Sequence, residues 1–346
     1  MRARRLKSPK LNQHDEAVKE RIFFALLTAV FATGLLGAKP IATANDFHAN
    51  AIKKDRHRVV VAADGSGDTT TIQQAIDRVP EYNIHPFVIQ IKPGTYREQI
   101  KILQTKPFIT LRGEDPLRTT ITFNLSAKTS GDTRNSYTAY LGGSDFRAEN
   151  ITFENTYGVG SQAVAAYVNT DRVIFRNCRF LGWQDTLFAH GGRQYYKDCY
   201  IEGHVDFIFG NSTSVFENCT IHSKGQGYVT APWALTPEPN GFVFRHCKLT
   251  GGSDAKSYLG RPWRPYGRAV FIETWMEAHI RPEGWDNWRD PAREKTARFA
   301  EYKSSGPGAN PSARVAWSKQ LSEQEIQPFA TQTFLKGIDN WNPSKW

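Results

Sequence analysis

Two aspartates, Asp185 and Asp206, stand at the same distance from a cysteine in two neighbouring segments of the sequence. Asp185 follows Cys178 by seven residues, and Asp206 follows Cys199 by seven residues. If the two segments are consecutive turns of a repeat, their backbones stack and the two carboxylates come within a few ångströms of each other. Two close carboxylates split their pKa values, so that one is ionised while the other holds a proton. Such a pair can act as nucleophile and general acid/base.

Gln184 directly precedes Asp185 and adds a group of a complementary kind. A neutral amide can donate hydrogen bonds to an oxyanion without neutralising a nearby carboxylate. The alternative interpretation is that Asp185 and Asp206 only accept hydrogen bonds from loop amides, as many isolated aspartates do. The equal spacing of the two aspartates from their cysteines does not decide between these two interpretations. If the aspartates are chemical groups, we expect solvent to reach both of them.

An internal repeat surrounds the two aspartates. Each copy has an apolar residue, a charged residue, usually Asn or Asp, then Cys, a variable residue and another apolar residue. The copies are Phe175–Phe180, Tyr196–Ile201, Phe216–Ile221 and Phe244–Leu249, preceded by Glu149–Phe153 with Ile151 in the cysteine slot. The steps between these slots are 27, 21, 20 and 28 residues, which is the period of a solenoid with insertions.

The spacing inside each copy requires a bend, because a continuous strand alternates its faces and these apolar residues do not. Asn and Asp adopt the left-handed conformation more readily than other non-glycine residues. We therefore expect the third residues of the copies to stack at one corner: Asn150, Asn177, Asp198 and Asn218. Many β-branched and aromatic residues favour strands over a helical solenoid. The sequence thus predicts an all-β, right-handed, single-stranded parallel β-helix with a few short capping helices.

Two segments are expected to lie at the ends of this coil. Residues 71–79 have apolar side chains at positions 72, 75, 76 and 79, which share one face of a helix. This helix is expected to cap the N-terminal end of the solenoid. The tail from about Pro291 is expected to pack outside the coils.

The four cysteines, Cys178, Cys199, Cys219 and Cys247, are interpreted as a column of free thiols in the core. They occupy the inward slot that Ile151 fills one copy earlier, and a free cysteine behaves as a small hydrophobic residue. The alternative is a disulfide between neighbouring coils, which an exported protein permits. A zinc site is disfavoured because the spacings are 20 residues or more and no CxxC occurs.

The beginning of the chain predicts export. Basic residues precede a mostly apolar run at 22–38, and an A-x-A motif follows at 42–44, as in a cleavable signal peptide. An uncleaved membrane anchor is the alternative. We expect residues 1–44 to be removed and residues 45–346 to form a single domain, in the periplasm or outside the cell.

The first 44 residues hold eight of the 44 Lys and Arg and three of the 34 Asp and Glu, so the remainder carries a net charge of +5. A basic exported protein favours an acidic polysaccharide partner over nucleic acid.

Five sequence blocks, in this order, resemble the signature blocks of the pectin methylesterases, and the similarity runs through most of residues 58–290. They are GTYRE at 94–98, QAVA at 162–165, GWQDTL at 182–187, DFIFG at 206–210 and LGRPW at 259–263. The resemblance implies a parallel β-helix that hydrolyses the methyl esters of galacturonate units in pectin. The sequence resembles the bacterial type of this family, which lacks the inhibitor-like pro-region of many plant enzymes.

The resemblance also implies roles for individual residues. Asp206 would attack the ester carbonyl carbon, and Asp185 would protonate the departing methoxide and then activate water. Gln184 and Gln162 would donate to the oxyanion, and Arg261 would hold Asp206 ionised. Phe209 and Trp263 match family positions that flank the cleft and offer flat faces to sugar rings. Tyr167 and Tyr228 are expected to bind substrate as well, without a family match. The implied enzyme is a monomer that needs no metal and no organic cofactor.

Departures from the family pattern leave the subsite preferences open. QAVA continues as Ala166 and Tyr167, where plant members have Leu and a basic residue, and the loop 230–233 also differs. Two other functions remain as alternatives: another ester or thioester hydrolase on the same fold, and a non-catalytic solenoid that binds polysaccharide. The second would not need the Gln, Asp and Arg set.

Overall fold

The computed structural model describes residues 57–345, and the proposed leader, its cleavage site and the start of the mature domain lie outside them. The regular secondary structure of this part of the chain is mainly short strands. In chain order they are β1 (Arg58–Val61), β2 (Phe87–Ile91), β3 (Gly94–Arg97), β4 (Ile100–Ile102), β5 (Ile109–Arg112), β6 (Thr119–Phe123), β7 (Ala139–Leu141), β8 (Arg147–Glu149), β9 (Thr152–Asn155), β10 (Ala166–Val168), β11 (Val173–Arg176), β12 (Arg179–Leu181), β13 (Leu187–Ala189), β14 (Arg193–Lys197), β15 (Tyr200–Gly203), β16 (Ile208–Gly210), β17 (Thr213–Glu217), β18 (Thr220–Ser223), β19 (Gly227–Pro232), β20 (Gly241–Arg245), β21 (Lys248–Gly251), β22 (Ser257–Gly260), β23 (Arg268–Ile272), β24 (Trp275–Met276), β25 (Arg298–Tyr302) and β26 (Lys319–Gln320).

Helices are few and short. The α-helices are α1 (Ile72–Asp77), α2 (Ala127–Ser130) and α3 (Thr331–Leu335), and the 3₁₀ turns are Thr133–Asn135, Pro291–Lys295, Pro311–Ala313, Gln327–Phe329 and Pro343–Lys345. Within residues 57–345, no helix is both long enough and apolar enough to cross a membrane.

The strands form three sheets in which all pairings are parallel. Sheet A has the order β1-β2-β5-β8-β11-β14-β17-β20-β23-β25-β26, sheet B has β24-β21-β18-β15-β12-β9-β6-β3, and sheet C has β22-β19-β16-β13-β10-β7-β4. From β2 to β24 the chain visits sheets A, B and C in turn, so that each complete coil adds one strand to each sheet. This is the predicted right-handed parallel β-helix.

The corner between sheets A and B confirms the conformation that the repeat predicts. Asn150, Asn177, Asp198 and Asn218 have φ values of 57°, 49°, 54° and 55°, and His246 adopts 51° in the next coil. The amide of Asn177 donates to Oδ1 of Asn150 over 2.8 Å. We call these five residues the asparagine corner. It turns the chain so that the residue after each corner points into the core.

The interior of the coil is filled by stacked columns of apolar residues. Phe175, Tyr196, Phe216, Phe244 and Phe271 stack in neighbouring coils with centroid distances of 4.4–5.0 Å. The four cysteines form a second column, buried and unpaired, which confirms the interpretation as free thiols. Burial raises the pKa of the Cys178 thiol to about 12.

Helix α1 confirms the predicted cap. It lies within residues 71–79, its N-cap Thr71 accepts a hydrogen bond from the backbone of Gln74, and Ile72, Ala75 and Ile76 are buried. The helix packs against β1, β2 and β4 at the N-terminal end of the coil. Its apolar face therefore closes the first coil.

The expectation for the C-terminal tail is wrong for its first part. Strand β25 pairs with β23, and β26 pairs with β25, so residues 298–302 and 319–320 extend sheet A. The later part does pack outside: Phe334, Leu335 and Trp341 cover the outward face of sheet A. Residues 298–302 lack the Asn-Cys unit, which is why the repeat did not reveal this strand.

Candidate active site

The structure places Asp185 and Asp206 at the same position of neighbouring coils. Strands β13 and β16 pair with Leu187 opposite Ile208, and each aspartate lies two residues before its strand. The backbone N–H of Asp185 donates to the carbonyl of Val205 over 3.1 Å. Both aspartates have positive φ, 64° and 51°. The register confirms the adjacent-coil placement, and we call this pair the cleft corner.

Arg261 is bound to one of the two aspartates. It follows β22, and its backbone N–H donates to the carbonyl of Thr230 over 3.0 Å. Its Nε and Nη2 donate to the two carboxylate oxygens of Asp206 over 2.9 and 2.7 Å. Two parallel hydrogen bonds of this kind fix the orientation of the carboxylate as well as its charge.

Two aromatic rings hold the guanidinium of Arg261 in place. Its central carbon lies 3.8 Å from the ring centroid of Tyr228 and 3.8 Å from that of Trp288. Planar guanidinium stacks well on aromatic faces. The arginine therefore has little freedom to leave Asp206.

The two carboxyl groups differ in their protonation. Asp185 forms no ion pair with any residue of the described part of the chain, and burial together with the negative charge of Asp206 raises the pKa of Asp185 well above its usual value. Burial also raises the pKa of Asp206, but the hydrogen bonds and charge of Arg261 oppose that shift. A single proton shared by the pair therefore resides on Asp185, and Asp206 is the ionised partner. Asp185 and Asp206 are 8% and 6% exposed, so both are more buried than expected of groups that solvent reaches.

Gln162 and Gln184 bring two amides to the same place. Both are half-buried and line the cleft that holds the aspartates. The backbone carbonyl of Gln184 accepts from Ala163 over 3.0 Å, which ties the two segments together. Within residues 57–345, neither side-chain amide has a hydrogen-bond partner in the protein, so each is available to an oxyanion.

The cleft has a volume of about 780 Å³ and an aromatic wall. Phe209 stacks on Phe188 with centroids 4.2 Å apart, and Phe188 stacks on Tyr167 at 4.4 Å. Trp263 lies 6.0 Å from Phe209 at an inclined angle. The structure thus brings three of the four expected aromatics to the cleft.

Tyr228 is the fourth expected aromatic, and the structure gives it a different place. It packs on Arg261 and, at 5.4 Å, on Tyr258, and it is not among the residues that line the cleft. The contact that the structure gives Tyr228 is with the arginine, and its binding of a sugar stays a prediction. The sequence could not show this contact, because Arg261 arrives from the next coil and lies outside the repeat.

Several residues of the cleft were missed by sequence reasoning. They are Phe188, Trp288, Trp233, His190, Asp132 and Arg134. Phe188 could have been found, because it follows Asp185 by three residues as Phe209 follows Asp206. Burial lowers the pKa of His190, so its imidazole is neutral at neutral pH.

Two aspartates in register, one of them held by an arginine, and an aromatic cleft on a parallel β-helix are typical of an enzyme that acts on a sugar polymer. Residues 58–338 match the family model described as Pectinesterase. Pectinesterase 31 of Arabidopsis thaliana is 47% identical over 290 residues, which cover 80% of this chain and 92% of the relative. A probable pectinesterase/pectinesterase inhibitor of the same plant is 39% identical, and the match spans 83% of this chain and 45% of that longer relative.

Solved structures agree with the sequence comparison. Pectin methylesterase from carrot superimposes with a TM-score of 0.80 at 36% identity, covering 83% of this chain and 95% of that one. The enzyme from Erwinia chrysanthemi gives 0.73 at 31% identity, covering 82% and 97%. The chain belongs to the pectinesterase family. It is an enzyme that hydrolyses the methyl esters of pectin.

Proposed function

We propose that Asp206 is the nucleophile and Asp185 the general acid and base of this hydrolysis. The observation that carries the proposal is the cleft corner itself: two aspartates in register, of which one is held by Arg261 and the other is not. Burial and the neighbouring charge give Asp185 a raised pKa, as a proton donor at neutral pH requires. The bidentate ion pair gives Asp206 a fixed negative charge, as a nucleophile requires.

In the first half of the reaction, a carboxylate oxygen of Asp206 attacks the carbonyl carbon of a methyl galacturonate. The carbonyl oxygen becomes an oxyanion that accepts hydrogen bonds from the amides of Gln184 and Gln162. The tetrahedral intermediate collapses, the bond to the methoxy oxygen breaks, and Asp185 gives its proton to the leaving group. Methanol departs, and the galacturonate remains bound to Asp206 as an anhydride.

In the second half, Asp185 is ionised and accepts a proton from water as the water oxygen attacks the anhydride carbonyl. A second oxyanion forms and collapses, which breaks the bond to Asp206. The products are a galacturonic acid unit and the original Asp206 carboxylate, and Asp185 is protonated again. Every proton is accounted for by Asp185 and water, so the cycle calls for no other group.

The polymer is held by the aromatic wall. Phe209, Tyr167 and Trp263 present apolar surface to the sugar rings, with the reacting ester above Asp206. The proposed substrate is methyl-esterified homogalacturonan, and a related pectin methylesterase has been solved in complex with a hexasaccharide. One chain supplies every residue used here, which supports action as a monomer. We further infer that the protein is exported to the periplasm or the cell exterior, where it encounters pectin.

Methanol release from highly methylated pectin tests the proposal. Asp206→Asn and Asp185→Asn are each expected to lose about 1000-fold or more of the activity while remaining folded. Asn tolerates the same positive φ as Asp, so these variants change the chemistry and not the corner. The matched control is Asp198→Asn, which alters an exposed aspartate with φ of 54° at the asparagine corner and should leave activity unchanged.

Two further assays on the same samples identify the reaction. Unsaturated products would indicate a lyase, and new reducing ends would indicate a glycosidase. The proposal is wrong if either Asp185→Asn or Asp206→Asn releases methanol at the rate of the wild type.

A further inference from the structure

The outward side chains of sheet C form one continuous column that leads away from the cleft corner. The pairing registers place Phe209 beside Phe188, Phe188 beside Tyr167, Tyr167 beside Tyr140, and Tyr140 beside Lys101. The column therefore crosses β16, β13, β10 and β7 and ends on the edge strand β4. Four steps of about 4.8 Å place Lys101 about 19 Å from Phe209.

Neighbouring members of the column touch. Ring centroids are 4.2 Å apart for Phe209 and Phe188, 4.4 Å for Phe188 and Tyr167, and 5.1 Å for Tyr167 and Tyr140. Nζ of Lys101 then lies 5.9 Å from the ring centroid of Tyr140. An apolar wall that runs through the active site thus ends in a positive charge.

A second cavity surrounds this end of the column. It has a volume of about 670 Å³, and its walls include Glu81, Lys101, Arg134, Tyr137, Tyr140 and Tyr167. Arg134 and Tyr167 also line the catalytic cleft. The two cavities therefore meet, and a polymer that lies in the first can continue into the second.

The charges in the second cavity leave Lys101 available. Arg134 is paired with Asp132 over 3.0 Å, and within residues 57–345 no carboxylate lies within ion-pair distance of Nζ of Lys101. Glu81 is the acidic group in the wall, and it opposes the binding of an anion. Among the described residues of this wall, Lys101 is thus the exposed cation that has no carboxylate partner.

The backbone of Lys101 is fixed even though β4 is an edge strand. Its N–H donates to Oε1 of Gln73 over 2.7 Å, and its carbonyl accepts from Nε2 of the same residue over 3.3 Å. Gln73 belongs to α1, which is buried against the first coil. The position from which the lysine side chain extends is therefore set by the core.

We propose that Lys101, over the ring of Tyr140, forms a subsite for a galacturonate unit whose carboxylate is free. A methyl ester is neutral and gains little from an ammonium, whereas a carboxylate gains a charge-assisted hydrogen bond. The enzyme then binds a chain better when a unit about four coils from the reacting ester has already lost its methyl group. The inference rests on the proposed function, since it assumes that the polymer lies along the column and reacts at Asp206.

The test compares KM for two polymers of the same length, fully methylated homogalacturonan and the same material after partial saponification. The wild type should show a lower KM for the saponified polymer. Lys101→Gln should reduce this preference by about 2- to 5-fold, the size of an exposed charge pair. Lys101→Arg should retain it, and Glu81→Gln should strengthen it. Raised salt should weaken the preference of the wild type.

The matched control is Lys248→Gln, which removes a lysine that lies 5.0 Å from the ring of Trp275 on sheet B. The ratio of the KM values for the two polymers should be the same for Lys248→Gln as for the wild type. The subsite is refuted if Lys101→Gln leaves the ratio of the two KM values unchanged, or if Lys248→Gln changes it equally. If the wild type releases no methanol from either polymer, the proposed function fails and the subsite with it. If only the preference is missing, the subsite alone fails.

Discussion

The cleft corner and the asparagine corner use one backbone conformation for two purposes. Both place Asp or Asn residues with φ of about 49–64° at a bend between strands of neighbouring coils. At the asparagine corner, Asn177, Asp198 and Asn218 are exposed and only turn the chain. At the cleft corner, Asp185 and Asp206 are buried, and only one of them has an arginine. The repeat supplies the position, and burial and Arg261 supply the chemistry.

The two corners also differ in the residue that precedes each corner residue. Charged residues precede the members of the asparagine corner, but Gln184 precedes Asp185. We expect Gln184→Ala to lose about 100- to 1000-fold in kcat, since one donor to the oxyanion is removed. This loss should be smaller than that of either aspartate variant.

The control for Gln184→Ala is Gln90→Ala, which removes a half-buried amide from sheet A that donates to the carbonyl of Arg112. It should leave kcat unchanged. Equal kcat values for wild type and Gln184→Ala would show that this amide has no part in the transition state.

The two aspartates of the cleft corner should affect stability in opposite directions. Asp206→Asn strands the guanidinium of Arg261, and we expect it to lower the free energy of unfolding at pH 7 by up to about 3 kcal/mol. Asp185→Asn removes a buried carboxyl group whose ionisation is unfavourable, and we expect it to raise that free energy. Urea titrations of the two variants beside the wild type measure both effects.

The raised pKa of Asp185 determines how the free energy of unfolding changes with pH. Its pKa is raised in the folded state, so the folded protein binds more protons than the unfolded chain, and stability falls as pH rises from about 4 towards that raised pKa. The advantage of Asp185→Asn should therefore be present at pH 7 and absent below about pH 4. An advantage that is the same at both pH values would contradict the raised pKa.

The inward column of cysteines should show the smallest effects. Cys199→Ala and Cys219→Ala each leave a small cavity, for which we expect a loss of about 1–3 kcal/mol of stability and no change in kcat. Because the four thiols are free, a reducing agent should leave the melting temperature unchanged. A marked drop in melting temperature with reductant, or fewer than four titratable thiols after denaturation, would refute the column of free thiols.

The sequence predicted the β-helix and the positions of the two aspartates of the site for one physical reason. A repeat with a fixed phase stacks equal positions, so Asp185 and Asp206, the asparagine corner and the cysteines could be placed without coordinates. Residues outside the repeat could not be placed in this way. Trp288 reaches Arg261 through an irregular segment, and β25 carries no corner asparagine. The role of Tyr228 depends on its contact with a side chain that arrives from another coil.

In the proposed mechanism, Asp206 forms the covalent bond and Asp185 only moves protons. A galacturonate ester with a leaving group that needs no protonation separates these roles. Asp185→Asn should release a burst of one equivalent of leaving group per enzyme and then stall, because the anhydride forms but no base activates water. Asp206→Asn should release no burst. A burst from Asp206→Asn, or none from Asp185→Asn, would contradict the assignment of the nucleophile.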